Sequence, residues 1–200
     1  MTVALPEASR RPALAEWFGR INIGVVIFVV LFAAIALKQP SYLEPAGFMN
    51  YLRRAAPLAI MAAGQIFVIV SGGFDLSVGS LVTLSVLGAS MMTGGDPSLT
   101  WPAIGALYAM GVVVGLINGV AVAYLKVPSI IATLGTLLSV NGVAMMWSGG
   151  SPRGYLPDNF RAFGRFVFKD VPVVGQLPLS VIVLVVVSAV AWWGLHGSVF

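Results

Sequence analysis

Apolar runs broken by short polar or glycine-bearing turns dominate this chain, and each run has roughly the length that spans a bilayer. About 20 apolar residues carry a helix across the hydrocarbon layer. "INIGVVIFVVLFAAIAL" (21–37) is the first such run and "AAPLAIMAAGQIFVIV" (55–70) the second. "LSVGSLVTLSVLGASMM" (76–92) is the third, followed by the turn-forming "TGGDPSLTWP". A fourth covers about 103–125 and ends at Lys126 and Pro128; a fifth covers about 129–147 and a sixth about 178–195. The pattern predicts an all-α, polytopic membrane bundle of about six transmembrane helices. The first run also resembles a signal peptide in its basic approach and its closing "AIA". Its core is long for that role, and further spans follow.

Composition sharpens this picture. Of 200 residues, 58% are hydrophobic and 9% charged, too few charges to solvate a globular surface. There is no cysteine and one histidine, His196. Disulfides, thiolate metal sites and a histidine-rich centre are therefore excluded from these residues, and no metal or cofactor is expected. The net charge of +4 comes from terminal and loop residues and fits lipid headgroups rather than nucleic acid. With a cytoplasmic amino terminus, Arg10, Arg11, Arg20 and Lys126 lie inside. Lys38, Arg53, Arg54, Arg153, Arg161, Arg165 and Lys169 then lie outside. The positive-inside rule favours the reverse, whereas the arginines before the first run favour this one. Charge leaves the orientation open.

The polar segment 148–177 is expected to be a loop bearing a short interfacial helix. Phe160, Phe163, Phe166 and Val167 recur near helical spacing there, with Arg161 and Arg165 one turn apart. Simple interfacial packing and a lid over a pathway are the two readings.

Within the spans, Gly111, Gly115 and Gly119 repeat every four residues and share a helix face, which permits close helix approach or sliding. Gln65, Asn118 and Asn141 are candidates for hydrogen bonds between helices. The sharpest feature is "VIVSGGFDLSVGS" (68–80). Gly72 and Gly73 end or bend a helix, and Asp75 and Ser77 are good caps for the next one. A backbone break in lipid must be capped and surrounded by protein, and an intramembrane carboxylate faces a cavity or a partner. The stretch reads either as a tight interfacial turn or as a buried break lining a polar route. No G-x-S-x-G, H-E-x-x-H or phosphate-binding loop occurs, so no catalytic residue is expected.

Three stretches together resemble the ribose-type sugar permeases of bacterial ATP-binding-cassette importers. They are "AAPLAIMAAGQIFVIVSGGFDLSVGSLVTLS" (55–85), "GLINGVAVAYLKVPSIIATLGTL" (115–137) and "MMWSGGSPRGYLPDNFRAFG" (145–164). The resemblance runs over about 45–200. It implies an inner-membrane homodimer working with cytoplasmic ATPase subunits and a periplasmic sugar-binding protein. The sugar would pass between the two copies without covalent chemistry. It also implies a cytoplasmic tail at 1–20, five spans over 21–147, a periplasmic loop at 148–177 and a sixth span at 178–195. Lys126, His196 and the 71–77 break then lie toward the cytoplasm. The family's Gly-Arg-x-x-x-A-x-G-x-N type segment, which docks on the ATPase, would follow "LHGSVF", so an amino-terminal portion of a permease is expected. A small membrane scaffold or assembly protein without transport activity is the alternative.

Overall fold

The computed structural model describes residues 22–151 and 153–197. The tail 1–20, with Arg10, Arg11 and Arg20, lies outside the described residues. The chain divides into two compact units, Met1–Phe48 and Met49–Phe200.

In the first unit, α1 (Ile23–Lys38) starts at Asn22, whose side chain accepts the Gly24 N–H at 2.9 Å. It stops before Pro40, which opens a 3-10 turn at Pro40–Leu43. Phe32 stacks on Phe28 and meets Phe48 edge-on, with ring centroids 6.0 and 6.1 Å apart.

The second unit holds most of α2 (Pro45–Val70), then α3 (Val78–Thr93), α4 (Thr100–Ala123) and α5 (Ser129–Ser148). A short α6 (Asp158–Arg165), a two-stranded sheet and α7 (Leu179–Gly197) complete it. Helices α2, α5 and α7, and α4 together with the turn at Pro97–Leu99, are long and apolar enough to cross a membrane. α1 and α3 are apolar but only 16 residues long. Among the described residues, six apolar helices stand where six runs were expected, and four of them reach spanning length.

The all-helical expectation fails at one place. Helix α6 ends at Arg165, and Phe166 and Val167 turn extended rather than continuing it. β1 (Val167–Val171) pairs antiparallel with β2 (Gly175–Pro178), Phe168 opposite Leu177. The reason is local. β-Branched and aromatic residues at 166–168 favour extended backbone, and Pro172 and Gly175 supply the turn.

α3 is the centre of the unit. Its buried residues Ser80, Leu84, Gly88, Ala89 and Thr93 spread over more than half of its circumference, and Leu84 meets Val140 and Ala144 of α5 in the core. Small side chains let the helices close on one another, because contact rather than water exclusion drives association in lipid. A Cβ on Gly88 would lie 3.0 Å from Leu107 and 3.2 Å from Trp147, so α4 and α5 press against it. The outward surface is apolar, with Trp193 73% and Met146 85% exposed. That inversion suits lipid and not water. Pro57 inside α2 cannot donate to the Arg53 carbonyl one turn back; the Ser180 hydroxyl of α7 donates to it instead, at 3.5 Å.

Candidate functional site: a capped helix break and its cleft

α2 ends in a Schellman arrangement. Gly73 N–H donates to Val68 O at 2.9 Å and Gly72 N–H to Ile69 O at 3.0 Å. Gly72 takes φ +81°, which explains the glycine there. Phe74 then runs outside helical geometry and needs partners. α5 supplies them: Phe74 N–H donates to Ser129 Oγ at 3.1 Å, and Thr133 Oγ1 donates to Phe74 O at 3.3 Å. In hydrocarbon, where an unpaired backbone group costs several kcal/mol, such bonds hold an irregular segment in place.

Asp75 caps the next helix. Its Oδ1 accepts from Ser77 N–H at 2.8 Å and from Ser77 Oγ at 2.6 Å. Ser77 was expected to cap with its own oxygen, but it makes no such bond. It is fully buried, and its hydroxyl relays instead. Asn118 Nδ2 donates to Ser77 Oγ at 3.1 Å, and Thr136 Oγ1 donates to Asn118 Oδ1 at 2.5 Å. The donors all point one way, from Thr136 through Asn118 and Ser77 to the carboxylate. Such chains strengthen one another in a low dielectric. The chain joins α5, α4 and the start of α3. Asn118 lies five residues before the end of α4, about 7 Å inside it at 1.5 Å per residue.

Beside the break lies a cleft of about 420 Å³, whose lining includes Asp75, Asn118, Ser129 and Thr133 together with Phe74 and Val122. Gly72, Gly73, Gly115 and Gly119 also border it. The glycine strip was expected to pack against a helix. A Cβ on Gly111, Gly115 or Gly119 would meet nothing within 4 Å. Gly115 and Gly119 instead face the cleft, and Gly111 borders a separate apolar groove beside Tyr108 and Phe163. Gln65 is half-buried on α2, outside the residues that line the break's cleft. Asn141 lines another hollow with Thr83 and Ser148. The structure therefore joins Gly72, Gly73, Asp75, Ser77, Gly115, Asn118 and Gly119, and leaves Gln65, Gly111 and Asn141 elsewhere.

Ser129, Thr133 and Thr136 were missed. Their spacing of four and then three residues, which puts them on one face of α5, was the available signal.

The opposite end of the core is closed. Ser90 Oγ donates to Arg153 O at 2.8 Å, Tyr155 N–H to Ser90 O at 3.2 Å and Thr93 Oγ1 to Tyr155 O at 3.1 Å. Gly154 sits against the Ser90 carbonyl with φ +85°, where a Cβ would collide with backbone. Arg161 lies over the Tyr155 ring at 4.2 Å. Asn159 accepts from Thr100 Oγ1 at 2.9 Å and donates to Pro97 O at 3.0 Å. In the α3–α4 turn, hydrogen bonds from the Ser98 hydroxyl and then its backbone N–H hold the Asp96 carboxyl below its usual 3.8.

An apolar helical bundle with a protein-lined break defines a polytopic α-helical membrane protein. Residues 47–200 match the family described as branched-chain amino acid transport system / permease component, and the chain belongs to that family. Its relatives include the ribose import permease protein of Bacillus subtilis (strain 168), 34% identical over 182 residues, which cover 89% of this chain and 53% of the relative. The galactose/methyl galactoside import permease protein of Haemophilus influenzae is 30% identical over 182 residues, 84% of this chain and 53% of the relative. The autoinducer 2 import system permease protein of Salmonella typhi is 30% identical over 160 residues, 80% of this chain and 46% of the relative. The chain spans about half the length of these curated relatives. No solved structure matches it. As a member of this permease family, the chain is a multi-pass protein of the bacterial inner membrane.

Proposed function

We propose that the chain is the membrane-spanning part of an ATP-binding-cassette importer that moves a simple sugar of the pentose or hexose class. The reading rests on one observation above the others: the permease-family match over 47–200 includes the helix break, its Asp75 cap and its partners on α4 and α5. A permeation unit needs polar groups held inside an apolar bundle, and this is where the chain holds them. On this reading all six apolar helices cross the membrane, the two shorter ones by local thinning of the bilayer or by snorkelling of flanking residues. The amino terminus and the 71–77 break face the cytoplasm, and the 148–177 segment faces the periplasm. Two copies, with lipid around them, flank the route. Cytoplasmic ATPase subunits drive it and a periplasmic binding protein delivers the sugar. This chain contributes no covalent chemistry; ATP hydrolysis belongs to the separate subunits. Gly72, Gly73, Asp75 and Ser77 form part of the gated region. Gln65, Asn118 and Asn141 tie helices together, and the glycine strip leaves room along α4.

ATP-dependent uptake in proteoliposomes holding the full-length permease, its ATPase and its binding protein tests this. Uptake of a sugar that the binding protein accepts is expected. No uptake of any accepted sugar would sink it. A second reading, a scaffold without transport activity, draws on the open face at Gly115 and Gly119. Purification with unrelated membrane proteins and no ATPase would favour it.

A further inference from the structure

We infer that the cleft beside the α2–α3 break is a solute station that holds one neutral, polyhydroxylated molecule by Asp75, Asn118 and Ser129. This rests on the importer reading and adds to it a place and a set of atoms.

The hydrogen-bond bookkeeping points there. Asp75 uses Oδ1 for the helix cap, and among the described residues Oδ2 receives no donor. Asn118 is locked by accepting from Thr136 and donating to Ser77, which commits one of its two amide hydrogens. Ser129 Oγ accepts from Phe74 N–H, and no bond within the described residues takes its proton. All three residues border the same cleft. It thus offers an anionic acceptor, an amide donor and a hydroxyl, each held by its own second contact.

Besides Ser71 and Thr133, the remaining wall carries apolar side chains, Val68, Phe74, Val122 and Val127 among them. Polar groups and carbon surface in one cleft suit a sugar, whose hydroxyls both donate and accept while its C–H faces seek apolar surface. A cation fits less well. It needs several oxygens converging on it, whereas among the described residues Asp75 is the only carboxylate in the lining, which also holds an amide donor. At about 420 Å³ the space falls within the range of small-molecule sites. Gly115 and Gly119 keep it open, since a Cβ at either would project into free space.

The absence of cysteine from these residues supplies the test. Gly119→Cys is placed in the full-length permease, with any cysteine elsewhere replaced by serine and the ATPase and binding protein present. Gly105→Cys, also in open space but away from the cleft, is the control. Maleimide labelling is timed with and without ribose and galactose, and with the sugar that uptake identifies. The transported sugar is expected to slow labelling several-fold at residue 119 and to leave residue 105 unchanged. Asp75→Asn keeps a capping oxygen while replacing the outward acceptor. It should raise the half-protecting sugar concentration about tenfold, as expected for one hydrogen bond to a charged group. Equal labelling rates with and without sugar, equal protection at both positions, or protection by sodium or potassium alone would each overturn the station. Uptake without protection sinks the station and spares the importer. Absence of all uptake sinks the importer, and protection by ribose or galactose then still decides the station.

Discussion

The two ends of the α3–α4–α5 core solve the same problem in opposite ways. At the loop end, residues 153–155 lie on the last turn of α3, and Gly154 leaves no room for a methyl group. At the break end, the chain between α2 and α3 is held by side chains reaching from α4 and α5, and empty space remains beside it. The loop end gains rigidity from backbone contact. The break end gains it from four polar side chains in series, any one of which can let go. One end of the bundle is thus packed to contact, and the other keeps open space beside its hydrogen bonds.

The contrast can be tested from its stiffest point outward. Gly154→Val should have the largest effect. A left-handed φ costs a branched residue about 1–3 kcal/mol before the clash with Ser90 is counted, so folded yield in detergent should fall sharply. Normal yield and melting temperature would show that the loop end yields too. Asn118→Ala should follow. It breaks the links to Ser77 and Thr136, each of which keeps a second partner, and should cost about 1 kcal/mol by thermal unfolding, the typical net worth of a hydrogen bond. A cost near zero would mean that water replaces the amide. Gly119→Ala should stay within about 0.5 kcal/mol, because the methyl enters open space. Marked destabilisation would place another helix against that face.

The smallest effect belongs to Asp96. Its pKa lies below 3.8 in the folded chain, so its bonds to Ser98 stabilise the loop end above the unfolded value. That contribution should fade as pH falls through the depressed one. Asp96→Asn should remove this acid-side slope, measured as melting temperature between neutral and strongly acid pH. An unchanged slope would assign it to other carboxylates.

The apolar runs made the helices readable. Glycine, proline and polar residues ended them within a few positions, as at Gly94 and Gly149, both in left-handed caps. α2 was the exception. It begins ten residues earlier than its apolar run, because Arg53 and Arg54 lie within the helix rather than before it. The cap role of Asp75 was legible from residue type alone. The relay was not, because Ser77, Asn118 and Thr136 lie far apart in sequence and meet only after three helices pack. What the glycine strip faces was not legible for the same reason. Spacing shows that a face is smooth, and says nothing of what lies opposite it. The hairpin at 167–178 was hidden by aromatic spacing that suits a short helix as well as a strand.

α3 has 16 residues, about 24 Å of helix at 1.5 Å per residue, against about 30 Å of hydrocarbon. Hydration can therefore reach inward from its capped start. On the importer reading, a solute crossing beside it would shed its water shell over a shorter distance than the bilayer alone demands, which would lower the desolvation barrier that stripped hydroxyls face.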